Sequence, residues 1–324
     1  MNPTDYPLPP GQVRPYPPPT RTGTVLFRVP PTNNLAETSY SIWGNLSPKK
    51  TPLIVLHGGP GIPHDYLLPI SLINSDYGTP VVMYDQLGCG RSTHFSSPAP
   101  PSSFWSIDLF IAELDNLIRS LGITTFDLLG HSWGGMLAVS FTLAQPTGLR
   151  KLVLCSTAAD MATYVTVASE LRSFLPPACQ TILSQADRSS QDYAAAMLEF
   201  YRRHLCRIAD PFPEELMRSL GEMANDNSVH TAMNGPDELH VTGSLKNWSC
   251  VQQLAGITDK TVPGGVLLIN GQFDEAQDAC VLPFFLRIKA RVKWVQFALS
   301  AHMAQLEETE KFVRVVGAFL STHS

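Results

Sequence analysis

One stretch limits what this chain can become more than any other: Leu128-Leu129-Gly130-His131-Ser132-Trp133-Gly134-Gly135. An apolar run, Phe126 to Leu129, enters a Gly-x-Ser-x-Gly turn, and a helical pattern, Met136 to Leu143, leaves it and stops at Pro146. A strand, a tight turn and a helix in that order form a nucleophile elbow, whose sharpness leaves the serine exposed above the sheet edge. Gly130 and Gly134 flank a turn with little room for side chains, and glycine carries no steric penalty at unusual backbone angles. The positive end of the following helix lies beneath Ser132. The five-residue pattern also arises by chance in Gly/Ser loops. Its weight here comes from the flanking elements and from the partners downstream.

The rest of the chain alternates in the way such an elbow requires. Thr24 to Arg28 and Ser39 to Trp43 predict an antiparallel hairpin. Pro52 to Leu56 and Val81 to Tyr84 are continuous apolar runs, as expected of strands buried on both faces. Ile107, Ile111, Leu114, Ile118 and Leu121 recur at helical spacing, with Gly122 as the stop. Further strands are expected at Leu152 to Cys155, Val266 to Ile269 and Val292 to Phe297, and further helices at Leu282 to Ala290 and Glu307 to Leu320. This pattern predicts an α/β fold with a mostly parallel central sheet and helices on both faces. Between Ala158 and Trp248 the chain reads helical (Tyr164 to Phe174, Gln191 to Leu205, Pro213 to Met223), with His240 to Thr242 as its one strand candidate. That segment predicts a helical cap inserted after the sixth strand. The expected division is a Pro-rich arm over residues 1–20, a core over 21–157 and 250–324, and a cap over 158–249.

Bulk properties remove several classes of function. With 324 residues the chain can bury a large core without disulfide or metal staples. Its net charge of −5 and lack of a basic run argue against nucleic-acid binding. No apolar run approaches the ~18 residues of a membrane span. The segment Met1 to Thr20 is proline-rich and lacks the apolar core of a secretory signal, so it reads as an extended arm on the surface or loose in solvent. The six cysteines show neither a C-x-x-C nor zinc-ligand spacing, which points to reduced thiols in a cytoplasmic enzyme. Cys89 lies in a glycine-rich loop that could leave it exposed, and it reads as a packing residue rather than a catalytic one.

A serine hydroxyl is a poor nucleophile at neutral pH and needs a base, which in turn needs an orienting carboxylate. After an elbow of this kind the acid and then the histidine follow in chain order. Asp274 lies just past the strand ending at Ile269, and His302 just past the strand ending at Phe297. Both therefore leave the carboxyl ends of strands, where open α/β sheets place their sites. Among the nine histidines, His57 and His131 read as loop supports and the others lack this position. Asp278 and Asp259 compete with Asp274 for the acid. An oxyanion hole needs two convergent backbone N–H groups. Trp133, after the nucleophile, and Gly59, in the loop after Leu56, are the candidates. Asp85 reads as a brace for Arg91, and Phe200, Tyr201 and Trp248 as either pocket walls or the cap's own core.

Taken together, His57-Gly58-Gly59-Pro60-Gly61, Asp85 to Ser92, Gly130 to Gly135 and Gly271 to Glu275 resemble the proline iminopeptidases. These are α/β-hydrolase serine aminopeptidases that release an N-terminal residue, often proline. Met233 to Leu239 through Trp248, and Tyr201-Arg202-Arg203-His204-Leu205, are similar to the archaeal tricorn-interacting type. The resemblance runs from about Val25 to the C-terminus and leaves out the Pro-rich arm. It implies that Glu238 in the cap and Glu275 beside Asp274 bind the substrate's cationic amine; the residues alone would make Glu238 a surface group. It implies a small peptide or aminoacyl small molecule as substrate, with no metal or cofactor and no nucleic-acid or membrane partner. An aminoacyl ester or amide of a small metabolite, and a plain esterase without an amine requirement, remain as alternative substrates for the same catalytic groups.

Overall fold

In the computed structural model, which describes residues 6–30, 32–95, 100–185 and 187–322, the apolar runs assemble into a single sheet. Its strands are β1 (Arg21–Arg28), β2 (Leu35–Trp43), β3 (Leu53–Leu56), β4 (Val81–Tyr84), β5 (Phe126–His131), β6 (Leu149–Cys155), β7 (Val266–Gly271) and β8 (Val292–Phe297). They lie in the order β1-β2-β4-β3-β5-β6-β7-β8. The β1–β2 and β2–β4 pairs are antiparallel, and every pairing from β4 across to β8 is parallel. Strands β3, β4, β5 and β7 are buried at every position. Having no solvent face, they show no polar alternation in sequence.

Helices cover both faces: α1 (Leu72–Tyr77), α2 (Ile107–Ser120), α3 (Trp133–Leu143), α4 (Met161–Arg172), α5 (Pro177–Leu183), α6 (Gln191–His204), α7 (Glu214–Asn225), α8 (Ser228–Met233), α9 (Asp278–Arg287), α10 (Ala304–Glu307) and α11 (Thr309–Ser321). The Ser106 side chain starts α2 by accepting the Leu109 N–H, which satisfies one of the donors left open at a helix start. Asp160 and Ser190 do the same for α4 and α6. Among the described residues no helix is long and apolar enough to cross a membrane.

Helices α4 to α8 follow the sixth strand as a helical cap, and its two ends are tied together. Met161 N–H donates to the Trp248 carbonyl and Cys250 N–H to that of Ala159, both at 3.0 Å. Helices α5 and α8 were not anticipated, because seven and six residues respectively span too few turns to show a period. His240 to Thr242 is irregular backbone rather than a strand. Helix α9 begins at Asp278, ahead of the expected Leu282; Pro283 lies inside it, and proline ordinarily marks a helix start. The last expected helix is two, broken at Glu308, whose carboxylate turns back to accept Leu299 N–H and Ser300 Oγ–H.

The described part of the N-terminal arm lies against the body; Met1 to Asp5 fall outside the described residues. Arg14 pairs with Asp76 at 2.6 Å and Glu310 at 2.8 Å, and the Pro17 carbonyl accepts Trp43 Nε1–H at 2.8 Å. Cys89 is 2% exposed, in keeping with a packing role, and its thiol donates to the Gln86 carbonyl. The surrounding loop folds inward, so its glycines give close packing rather than exposure.

Candidate active site

Because β3, β5, β7 and β8 run parallel, the loops leaving their carboxyl ends gather at one edge of the sheet. Those loops carry Gly59, Ser132, Asp274 and His302. The elbow itself is tight. Ser132 has φ 56° and ψ −123°, a backbone that a residue with a side chain rarely adopts. A Cβ at Gly130 would run into the Gly134 carbonyl, and one at Gly134 into that of Leu56. The strained serine is pinned on both sides: its N–H donates to the Cys155 carbonyl at 2.9 Å, and its carbonyl accepts Thr157 Oγ1–H at 2.8 Å.

His302 Nδ1–H donates to Asp274 Oδ1 at 2.7 Å, which fixes the tautomer and leaves Nε2 facing the cavity. Asp274 is itself held by Ala276 N–H at 2.8 Å. Ser132 and His302 line one cavity, together with Gly59, Trp133, Glu238 and Glu275. Among the described residues no hydrogen bond joins the Ser132 hydroxyl to the imidazole; such contacts are often long in an empty site and tighten around substrate.

The two glutamates differ. Glu275 is 3% exposed, and its Oε2 has no hydrogen-bond partner among the described residues. Burial pushes its carboxyl above the ordinary range, as do the Glu238 and Asp274 carboxylates, against the opposing pull of His302. Glu238 is half-buried and accepts Tyr201 Oη–H at 2.6 Å. His302 answers to the same charges. Burial disfavours its charged ring, but Asp274 and Glu275 together raise it above the ordinary histidine value.

A chain of hydrogen bonds that sequence reasoning missed runs beneath the site. Gly58 N–H donates to Tyr66 Oη at 2.8 Å, Tyr66 Oη–H donates to His131 Nδ1 at 2.9 Å, and His131 Nε2–H donates to the His302 carbonyl at 2.9 Å. The chain closes only if His131 is neutral, and burial drives its ring well below the ordinary value. It ties the glycine loop after β3 to the loop after β8. Tyr66 sits in a 3-10 segment, His64–Ser71, with no motif to announce it. His57 is likewise a neutral support: Nδ1–H donates to the Gly58 carbonyl and Nε2 accepts Gln86 N–H. Gln86 then accepts Trp133 Nε1–H at 2.9 Å. Gly59, with φ +108°, would bring a Cβ within 2.7 Å of the Gly61 and Ile62 nitrogens, so only glycine fits.

Asp85 does brace Arg91, at 3.2 Å, but its nearer partner is His64 at 2.6 Å. Phe200, Tyr201 and Trp248 do not line the cavity. Phe200 is in the cap's own apolar cluster, Tyr201 packs beside it, and Trp248 packs on the main core. Met136, Met161, Tyr164, Leu205 and Leu245 supply the walls instead. Among the described residues no group of three or more His, Cys, Asp or Glu side chains is placed to hold a metal ion.

The chain is similar in sequence and fold to known proteins. Residues 51–309 match the family model described as the α/β-hydrolase fold. A proline iminopeptidase of Saccharolobus solfataricus is 35% identical over 273 residues, spanning 83% of this chain and 84% of that relative. One of Heyndrickxia coagulans is 32% identical over 276 residues, spanning 84% and 91%. Among solved structures, VinJ superposes with a TM-score of 0.85 at 39% identity, covering 94% of this chain and 99% of that one. The proline iminopeptidase of Mycobacterium smegmatis does so with a TM-score of 0.82 at 36% identity, covering 92% and 97%.

Proposed function

This chain belongs to the α/β-hydrolase family and, within it, to the proline iminopeptidases; from that premise we propose that it is a serine aminopeptidase releasing an N-terminal residue, proline among them, from small peptides or aminoacyl small molecules. Ser132 attacks the carbonyl of the first residue while His302 takes its proton, oriented by Asp274. The backbone N–H groups of Gly59 and Trp133 receive the developing oxyanion. The imidazolium protonates the leaving amine, and water, activated by the same histidine, releases the acyl group.

One observation carries the amine requirement. In a cavity walled mainly by apolar side chains, the buried Glu275 carboxylate, with an unpartnered oxygen, and the Glu238 carboxylate face the same space as Ser132. A buried carboxyl whose ionisation is disfavoured by burial and by a neighbouring carboxylate forms a site for a cation. An α-ammonium supplies that cation and the N–H donors to match, whereas an acylated amine supplies neither charge nor room. A cytoplasmic location belongs to the same proposal, supported by six free cysteines, five of them buried.

The test is hydrolysis of prolyl and other aminoacyl anilides and esters, each with a free and an N-acetylated amine. Cleavage lost on acetylation supports the aminopeptidase. Cleavage indifferent to acetylation would make this a plain esterase.

A further inference from the structure

The cap does more than roof the cavity. Where α6 ends, residues His204 to Arg207 thread between the two loops that carry Asp274 and His302. The His204 ring donates Nδ1–H to the Phe273 carbonyl at 3.0 Å, and the His204 carbonyl accepts Glu275 N–H at 3.2 Å. The Leu205 carbonyl accepts the N–H of His302 itself at 3.1 Å. Arg207 then fastens the far side. Its Nη1–H donates to the Leu299 carbonyl at 2.6 Å, and its guanidinium carbon stands 4.2 Å above the centre of the Phe273 ring. Its backbone N–H donates to Glu307 at 2.7 Å, and the other oxygen of that buried carboxylate accepts the N–H groups of Ala301 and Met303, on either side of His302, at 2.9 and 3.1 Å.

The N-terminal arm completes this arrangement. The Tyr6 carbonyl accepts Arg207 Nη2–H at 3.2 Å, the Tyr6 ring meets Phe273 edge-on at 5.1 Å, and Gly11 N–H donates to the Glu307 carbonyl at 2.8 Å. This arm precedes residues 51–309, the span of the family match.

We propose that Arg207 is a positioning residue for the Asp274–His302 pair and that the N-terminal arm locks it in place, so turnover depends on a segment outside the family match. A guanidinium suits the task because it is planar. It stacks on Phe273, next to Asp274, while donating sideways to the His302 loop and to the arm; an ammonium does one of these at a time. Both loops are irregular backbone, so their separation is set by what lies between and over them. A displacement of about 1 Å in such a pair costs on the order of 100-fold in rate.

The inference rests on the assignment of Asp274 and His302 made above, and its test is read in two ways. Arg207→Met, Arg207→Lys and a deletion of residues 1–10 are compared with the wild-type chain for kcat and KM on a prolyl anilide. The downfield proton resonance of the His302 Nδ1–H in its bond to Asp274 is recorded for each. Arg207→Met is expected to lower kcat ~10–100-fold with little change in KM and to shift or broaden that resonance. Arg207→Lys recovers part of both, and the deletion acts in the same direction, more weakly. Should Arg207→Met fail to fold, the deletion carries the test alone. Folded variants with wild-type kcat, or with an unaltered resonance whatever their kcat, overturn the inference. A wild-type chain that cleaves no aminoacyl substrate, alongside variants whose resonance does shift, overturns the functional reading and leaves the positioning role standing.

Discussion

Glu275 Oε1 lies 3.6 Å from His302 Nε2, on the side of the ring opposite Asp274. The imidazole therefore has a carboxylate at each edge, both of which favour its charged form. A ring that keeps its proton cannot accept one from Ser132. On the proposed amine-binding role of Glu238 and Glu275, a substrate ammonium arriving between them would offset that negative charge and free Nε2 to act as base, coupling amine recognition to base activation.

Glu275→Gln should accordingly move the acid limb of the kcat/KM profile to lower pH. The neutral amide no longer stabilises the imidazolium, so the ring loses its proton earlier as pH rises, by about one unit or more. The profile is best measured on a des-amino acyl ester, which carries neither the amine's charge nor an acetyl group's bulk. It reports the pair of groups rather than either alone. A limb that stays in place or moves upward would rule out this coupling.

Replacing Ser132 by Ala should reduce turnover by ~10⁴-fold or more, since a nucleophile and its base act as a unit. Little else should change: the elbow's strain resides in its backbone, and alanine fits wherever serine does. Activity measurement with a thermal melt checks both halves, and near-wild-type turnover would end the proposed mechanism.

Glu238→Ala is expected to raise KM for free-amine substrates by about 10–100-fold, the worth of a charge-assisted hydrogen bond. Substrates lacking the cation should be nearly indifferent. Equal effects on des-amino and free-amine esters would return Glu238 to the bracing of Tyr201, its partner at 2.6 Å.

Tyr66→Phe breaks the chain between Gly58 and His131, leaving one buried N–H and one imidazole nitrogen without their partner. A loss of about tenfold in kcat is expected, with KM less affected, because the chain supports the loops of the proposed oxyanion donor and base rather than the substrate. Steady-state kinetics on a folded variant decides it; an unchanged kcat would make Tyr66 a packing residue.

Each buried neutral histidine should add an acid-sensitive contribution to stability. Burial holds His57 and His204 down to about 4 and His131 well below its ordinary value, whereas all three charge near 6.5 once unfolded. Between those values these three rings bind more protons when unfolded, so their contribution to stability is full above about pH 6.5 and declines as pH falls towards 4, while the buried carboxyls of Glu113, Glu275 and Glu307, each pushed up to about 8, contribute in the opposite sense. His57 alone accounts for on the order of 3 kcal/mol. Urea melts across this range should show the wild-type chain losing stability relative to His57→Gln as pH falls; parallel profiles would contradict the burial argument.

The amino-acid sequence by itself determined the parallel sheet and the elbow. Apolar strands, helical periods and glycines forced by close approach are local in origin, and Phe126 to Leu143 shows all three. It also ordered Ser132, Asp274 and His302 along the chain, since strand ends are legible one at a time. The short helices α5 and α8 escaped because they are held by packing rather than by a period of their own. Tyr66, Glu307 and Arg207 escaped for a related reason: their partners lie 65, 6 and 92 positions away in sequence, and Arg207 acts on a loop from a different part of the chain. Only the tertiary structure decided the electrostatics. Whether a carboxylate such as Glu275 is exposed and ordinary, or buried beside an imidazole and another carboxylate, depends on which surfaces exclude water around it, and burial of that kind is a property of the assembled molecule.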